Sequence, residues 1–153
     1  MFKKFKKRLS GVEEKIDDFS LKGPELIKNL QEIEGYNKIL GGHGALLGAL
    51  NNTLFTFSKE KEYVLLDAGC GGGDTMIKAA EVATKKGYTI KMKGFDANPF
   101  IVDYAQSRTK KNGNIRIEVG DVFDNNFFSD SNDFVSANIF LHHFSEEEII
   151  SFI

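Results

Sequence analysis

The sequence predicts an α/β fold in which a doubly wound, mostly parallel sheet follows a helical segment. Apolar residues recur at helical spacing over the first sixty residues. From residue 60 onward, short apolar strands alternate with helical stretches, and a glycine cluster follows the first strand. Such alternation is typical of parallel sheets with helices on both faces. We therefore divide the 153 residues into a helical cap over 1–60 and an α/β domain over 61–153.

Composition excludes several classes of protein. With 41% hydrophobic and 27% charged residues, the chain can bury a core, and it lacks the profile of a disordered protein. The single Cys excludes a disulfide framework and any multi-thiolate metal site. A net charge of −2 gives no electrostatic case for nucleic acid as a partner. No apolar run is long enough for stable membrane insertion, and no apolar stretch follows the basic start as in a secretory signal. We predict a cytoplasmic protein.

The first predicted helix has two interpretations. Its apolar residues fall three or four apart, on one helical face: Phe2, Phe5, Leu9, Val12 and Ile16. Basic residues at its start would suit a membrane surface, but acidic residues follow within one or two turns. We therefore favour a solvated first helix over a membrane-bound one.

Two more helices are predicted before the sheet. The Gly23-Pro24 pair begins one of them, because proline tolerates the first helical position. Its expected buried stripe is Leu26, Ile27, Leu30 and Ile33. After the break at Gly41-Gly42, a second apolar stretch runs to residue 54.

The remaining elements alternate. Predicted strands cover residues 63–67, 89–96, 115–119 and 134–139. Helices lie between the first three, over 76–83 with a stop at Gly87 and from Pro99 to about 112, and a last one begins behind a Ser145 cap. That last helix has no C-terminal cap and no strand after it, so we expect a fragment of a larger domain. We also expect an exposed edge on the fourth strand and self-association through it.

The chemistry of the chain centres on LLDAGCGGGD, residues 65–74. Its glycines allow a tight turn off the strand and close approach to a ligand, and a helix N-terminus follows. Dinucleotides and S-adenosylmethionine both bind such loops. Here Asp74 replaces the third glycine of a dinucleotide motif, and Asp67 precedes the loop. Two carboxylates repel a pyrophosphate and suit a cationic sulfonium with an ammonium group, which disfavours an NAD-dependent oxidoreductase.

LLDAGCGGGD resembles the first motif of class I S-adenosylmethionine-dependent methyltransferases. The resemblance continues through KGFDANP (93–99), EVGDVFD (118–124) and FVSANIFLHHF (134–144). The preceding YNKILGGHGALLGAL is similar to the leader of small bacterial methyltransferases that act on small molecules. This implies a Rossmann-like fold, S-adenosylmethionine as cofactor, and methyl transfer to an oxygen, nitrogen or carbon nucleophile. A cofactor-binding or interaction module without catalysis is the alternative.

The resemblance assigns the adenosine end of the cofactor to two strand ends. Asp96 would accept both ribose hydroxyls, with Ala97 and Asn98 beside it. Asp121 would accept from the adenine amino group, and Val122 would pack on the ring. Simpler roles stay open, since Asp96 also suits a helix N-terminus and Asp121 a turn.

The methionine end is assigned to the loop itself. Asp67, Gly69 and Gly71 would hold it, with Ala68 and Cys70 as neighbours in the same loop. Cys70 has no base partner nearby in the sequence, and we interpret it as a small residue that fits.

The reacting end is assigned to the fourth strand. Asn138 and Phe140 would lie where sulfonium and acceptor meet. His142 and His143 are the candidate general bases, with His142 slightly preferred, although a packing or helix-start role is equally open. We predict a structural role for His43 and no metal site.

Overall fold

The computed structural model describes residues 21–124 and 131–152, so the predicted first helix lies outside the described residues. Within these ranges four parallel strands form one sheet in the order β3-β2-β1-β4. The strands are β1 (Glu62–Ala68), β2 (Thr89–Asp96), β3 (Ile115–Val119) and β4 (Phe134–Ser136). The α-helices are α1 (Pro24–Leu40), α2 (Gly44–Leu54), α3 (Asp74–Lys85), α4 (Pro99–Thr109) and α5 (Glu146–Phe152). The predicted parallel α/β fold is confirmed.

The strand order contains a reversal that determines where a ligand can bind. The chain adds β2 and β3 on one side of β1 and then crosses to place β4 on the other side. In open α/β sheets a crevice forms at such a reversal, at the carboxyl ends of the strands. In this fold that position lies above the ends of β1 and β4.

β4 is shorter than predicted. The sequence predicts a strand over 134–139, whereas the structure ends it at Ser136. Ile139 has a φ of 53°, which an extended strand does not accommodate. The side chain of Asn138 is turned to the main-chain carbonyl of Gly42, to which it donates a 3.0 Å hydrogen bond. The residues after Ser136 therefore leave the strand, and Asn138 contacts the turn after α1.

The main core lies where α2, α3 and α4 pack on one side of the sheet. Its fully buried members include Leu54, Leu65, Met76, Ile90 and Val102. α2 belongs to this core, since Leu50 and Leu54 are buried against it. The division of the chain near residue 60 stays a prediction.

α1 departs from its predicted stripe. Leu26 and Leu30 are buried and pack on Ile101 of α4, as expected. Ile33 is instead 39% exposed, because the last turns of α1 lie over the strand ends. Among the described helices, none is both long and apolar enough to cross a membrane.

Candidate functional site

A cleft of about 1080 Å³ lies across the carboxyl ends of the four strands. The glycine loop between β1 and α3 lines its centre, and α1 lines one side. The residues that follow β2, β3 and β4 complete it. This volume is slightly above the range for small-molecule sites, about 300–1,000 Å³.

The glycine loop needs its glycines for two reasons. Gly69, Gly71 and Gly73 have φ values of 64°, 52° and 73°, which other residues rarely adopt. A Cβ on Gly69 would also collide with the ring of Phe140, which packs directly on the loop. The loop therefore offers bare backbone to the cleft.

Hydrogen bonds hold the loop from three directions. The Cys70 amide donates to the Phe95 carbonyl at 3.0 Å, and the Gly71 amide donates to Asp96 Oδ2 at 3.1 Å. Arg108 Nη1 donates to the Gly72 carbonyl at 3.1 Å. Both edges of the loop are thus fixed to β2 and α4 before any ligand binds.

Asp67 is the most unusual acid of the site. It is buried at the end of β1 and lines the cleft, and its Oδ1 finds no hydrogen-bond partner among the described residues. Burial raises the pKa of Asp67 to about 7, opposed by a hydrogen bond from Ser136 and reinforced by the charge of Asp74. A bound cation would supply both the missing partner and the missing countercharge.

Asp96 lies at the end of β2 and lines the cleft beside Asp67. Its two oxygens accept hydrogen bonds from the Gly71 and Asn98 amides, at 3.1 and 3.0 Å. Burial raises its pKa, while those two bonds and the charge of His143 lower it. Asp96 thus joins the glycine loop to the start of α4.

Two predicted site residues lie outside the cleft lining. Ala68 is buried inside β1. Asn98 is the N-cap of α4, where its side chain accepts from the Phe100 amide at 2.9 Å and donates to the Leu21 carbonyl at 3.0 Å. Its sequence position, directly before a proline at the first helical position, is the signal for this capping role.

The residues after β3 line the cleft and also form a turn. Asp121 and Val122 line the cleft. Asp121 Oδ1 also accepts from the Phe123 amide at 3.0 Å, which forms a turn. Val122 is buried against Phe95 and against Leu66 and Ala68 at the carboxyl end of β1.

The end of the cleft beside β4 is lined by Asn138, Phe140, His142 and His143. The two histidines occupy a short 3₁₀ turn, with ring centroids 4.0 Å apart. Ala97, Gly69, Cys70 and Gly71 also line the cleft, so 12 of the 14 predicted residues come together there.

Sequence analysis missed the contribution of α1. Leu30, Ile33 and Asn37 all line the cleft. Asn37 Nδ2 donates to Asp74 Oδ2 at 3.4 Å, and His43 Nε2 lies 2.6 Å from the same oxygen. His43 is buried, and its contact with Asp74 joins the turn between α1 and α2 to the start of α3. This is a structural role, as predicted. Nothing local to residues 30–37 signals contacts with a loop forty residues away.

Comparisons with known proteins agree with this geometry. The family model described as "Methyltransferase domain" matches residues 59–150. A search of the curated proteins finds no match. A solved structure from Methanococcus maripaludis, assigned as an S-adenosyl-L-methionine-dependent methyltransferase, is 16% identical with a TM-score of 0.59. The alignment covers 88% of this chain and 62% of that one.

A second solved structure shares the fold. It describes the conversion of a disulfide bond into a thioacetal group during echinomycin biosynthesis, and it is 24% identical with a TM-score of 0.52. That alignment covers 68% of this chain and 40% of the neighbour. This chain thus spans less than two thirds of either neighbour's length.

Proposed function

This chain belongs to the methyltransferase-domain family, and from that premise we propose that it transfers a methyl group from S-adenosylmethionine to a small-molecule nucleophile. The prediction of a class I methyltransferase that uses this cofactor is confirmed at the level of the family. The acceptor atom, the roles of individual residues and the activity of this chain by itself belong to the proposal.

The observation that carries the proposal is the buried, unpartnered oxygen of Asp67. A buried carboxylate oxygen without a partner is costly, and a positively charged ligand group removes that cost. S-adenosylmethionine carries an ammonium and a sulfonium, whereas a dinucleotide would bring a pyrophosphate to the same loop. The residues present therefore fit the cofactor that the family uses.

The remaining strand ends supply its other contacts in this proposal. Asp96 is placed between the glycine loop and α4, where its carboxylate can accept ribose hydroxyls. Asp121 and Val122 would hold the adenine, one by accepting a hydrogen bond and the other by packing. When bound, S-adenosylmethionine supplies the methyl group together with a good leaving group.

The protein's own part in the reaction is then positioning and proton removal. Holding two reactants in line can lower a barrier by roughly 7–11 kcal/mol, so a strong base is not required. His142 is our candidate base for an O–H or N–H acceptor, and His143, whose ring lies beside it, is the alternative. Both histidines line the cleft, so either can reach a ligand there.

Calorimetric titration with S-adenosylhomocysteine tests the proposal. We expect the wild-type chain to bind it and to ignore NADH. Asp96→Asn should weaken binding roughly 10- to 150-fold, the worth of a hydrogen bond to a charged group. Asp103→Asn is the matched control, because Asp103 is an exposed acid on α4 that does not line the cleft.

A folded wild-type chain that binds no S-adenosylhomocysteine would overturn the proposal. Equal losses in both variants would show that Asp96 acts only through general charge. Thermal melts of each variant separate loss of binding from loss of fold.

A further inference from the structure

The cleft has an apolar surface that the cofactor proposal does not use. It is formed by a side chain of α1 and by those of the segments after β3 and β4: Ile33, Phe123, Ile139, Phe140 and Phe144. Large apolar side chains left facing an open cleft mark a surface for an apolar ligand.

The charges around the cleft point the same way. Of the described residues that line it, four are Asp and none is Lys or Arg. Asp74 is engaged by His43, and the other three acids are the proposed cofactor ligands. The nearby Arg108 is bound to Glu34 at 2.8 Å and to the Gly72 carbonyl. Apart from His142 and His143, no basic side chain of the described lining would offset the repulsion that these acids exert on a carboxylate or phosphate of the acceptor.

Two residues of the apolar surface lie near the point where the segment after β4 meets the turn after α1. The Asn138 side chain donates to the Gly42 carbonyl, which joins the end of β4 to the turn after α1. Ile33 is on α1, one turn before Asn37, and Ile139 directly follows Asn138. Both line the cleft, with 39% and 52% of their surface exposed.

Ile139 carries a second sign of function. Its φ of 53° is in the left-handed region, where a β-branched residue is a rare exception. Such strain persists where the surroundings impose it, and it concentrates at ligand sites. Here it accompanies an isoleucine whose side chain lines the cleft instead of joining the core.

We propose that the methyl acceptor is an uncharged small molecule with an apolar or aromatic body, and that Ile33 and Ile139 contact that body. This inference rests on the proposed methyltransferase function. The nucleophile of such an acceptor is a neutral hydroxyl, amine or carbon centre, and its apolar part replaces the water now in contact with these side chains.

Two matched probes test this acceptor class. With S-adenosylhomocysteine at saturation, 2-naphthol and 2-naphthoate are titrated into the full chain and followed by naphthalene fluorescence. The protein has no Trp to obscure that emission. We expect 2-naphthol to bind at least tenfold more tightly than 2-naphthoate.

Charge substitutions then locate the site. Ile33→Lys should reduce or reverse the preference for the neutral probe, and Ile139→Lys should do the same. Ile39→Lys is the control, because Ile39 is on the same helix, 81% exposed, and outside the cleft lining. It should leave the preference unchanged.

The outcomes separate the two proposals. Binding of S-adenosylhomocysteine with equal or tighter binding of 2-naphthoate would overturn the acceptor class alone. The same holds if neither probe binds, or if Ile33→Lys and Ile139→Lys behave like Ile39→Lys. Failure of S-adenosylhomocysteine to bind would overturn the methyltransferase proposal itself.

Discussion

β1 has two parallel neighbours, which differ in the length of their pairing with it and in how the residues after them are held. On one side it pairs with β2 through seven consecutive residues, and the loop that follows is bonded to β2 and α4. On the other side it pairs with β4 through three residues, and Val135 of β4 is 57% exposed. The β2 side is held by backbone pairing along the whole of β1, whereas the shorter β4 pairing is supplemented by side-chain bonds such as the one that Asn138 donates to the Gly42 carbonyl.

This difference matches the two ligands that we propose for the cleft. The cofactor is the same for every turnover, so a fixed set of backbone groups on the β2 side suits it. The acceptor end is built from short segments and side chains, which can change without disturbing the sheet. A rigid half and an adaptable half can therefore share one cleft.

The strongest test of this contrast compares a residue of the central strand β1 with one of β4. Leu65→Ala should destabilise the fold by about 2–5 kcal/mol, since Leu65 is fully buried in β1 and its loss leaves a cavity. Val135→Ala on β4 should change the free energy of unfolding by less than about 0.5 kcal/mol. Urea denaturation measures both. Similar losses at the two positions would show that β4 is as well packed as β1.

A second test uses pH. Because the pKa of Asp67 is raised to about 7, its contribution to stability is present at pH 4 and is lost as the pH rises through 7. The loss is on the order of 4 kcal/mol. Asp67→Asn should remove this dependence, so the difference in unfolding free energy between wild type and variant should change across pH 4–8.

Asp133, directly before β4, provides the control of opposite sign. Its hydrogen bond to Lys61 lowers its pKa, so its contribution is present at neutral pH and is lost in acid. Asp133→Asn should therefore affect stability at pH 7 and not below its lowered pKa. If Asp67→Asn gave this same profile, the pKa of Asp67 would be lowered by the fold and not raised.

A third test concerns the attachment of α1 to α4 and to the glycine loop. Arg108→Gln removes the half-buried ion pair with Glu34 and the bond to Gly72, and should cost about 1–3 kcal/mol. It should also weaken S-adenosylhomocysteine binding, because the glycine loop loses one support. Lys28→Gln breaks an exposed pair with Glu32 on α1 and should change stability by less than about 0.5 kcal/mol. Equal effects would assign the loss to surface charge.

The smallest expected effect is local. Ser145 and Glu148 exchange two backbone-to-side-chain bonds at the start of α5, and Ser145→Ala should cost that helix about 1 kcal/mol. Hydrogen exchange should show faster opening of α5 with β1 and β2 unchanged. Ser151→Ala within the same helix is the control and should leave exchange nearly as in wild type. Faster exchange in β2 as well would show that the two sides open as one cooperative unit.

Local sequence patterns predicted the β2 side well. The bounds of β2 and β3 coincide with their apolar alternation, and the turn off β1 follows from its glycines. Patterns failed where distant residues decide the outcome. Asn98 caps a helix and holds Leu21, and Ile33 leaves the core because α1 extends over the strand ends. No periodicity encodes such pairings. The predicted self-association through β4 remains a question for gel filtration.

The hydrogen bonds of α1 and of the turn after it to distant residues also determine when these segments can be anchored during synthesis. α1 emerges from the ribosome well before its anchors, since Arg108 follows Glu34 by 74 residues and Asn138 follows Gly42 by 96. At about 5–20 residues per second, α1 waits roughly 4–15 s for Arg108. Throughout that interval its apolar stripe has no α4 to cover it. The segment that completes the cleft is thus made early and secured late.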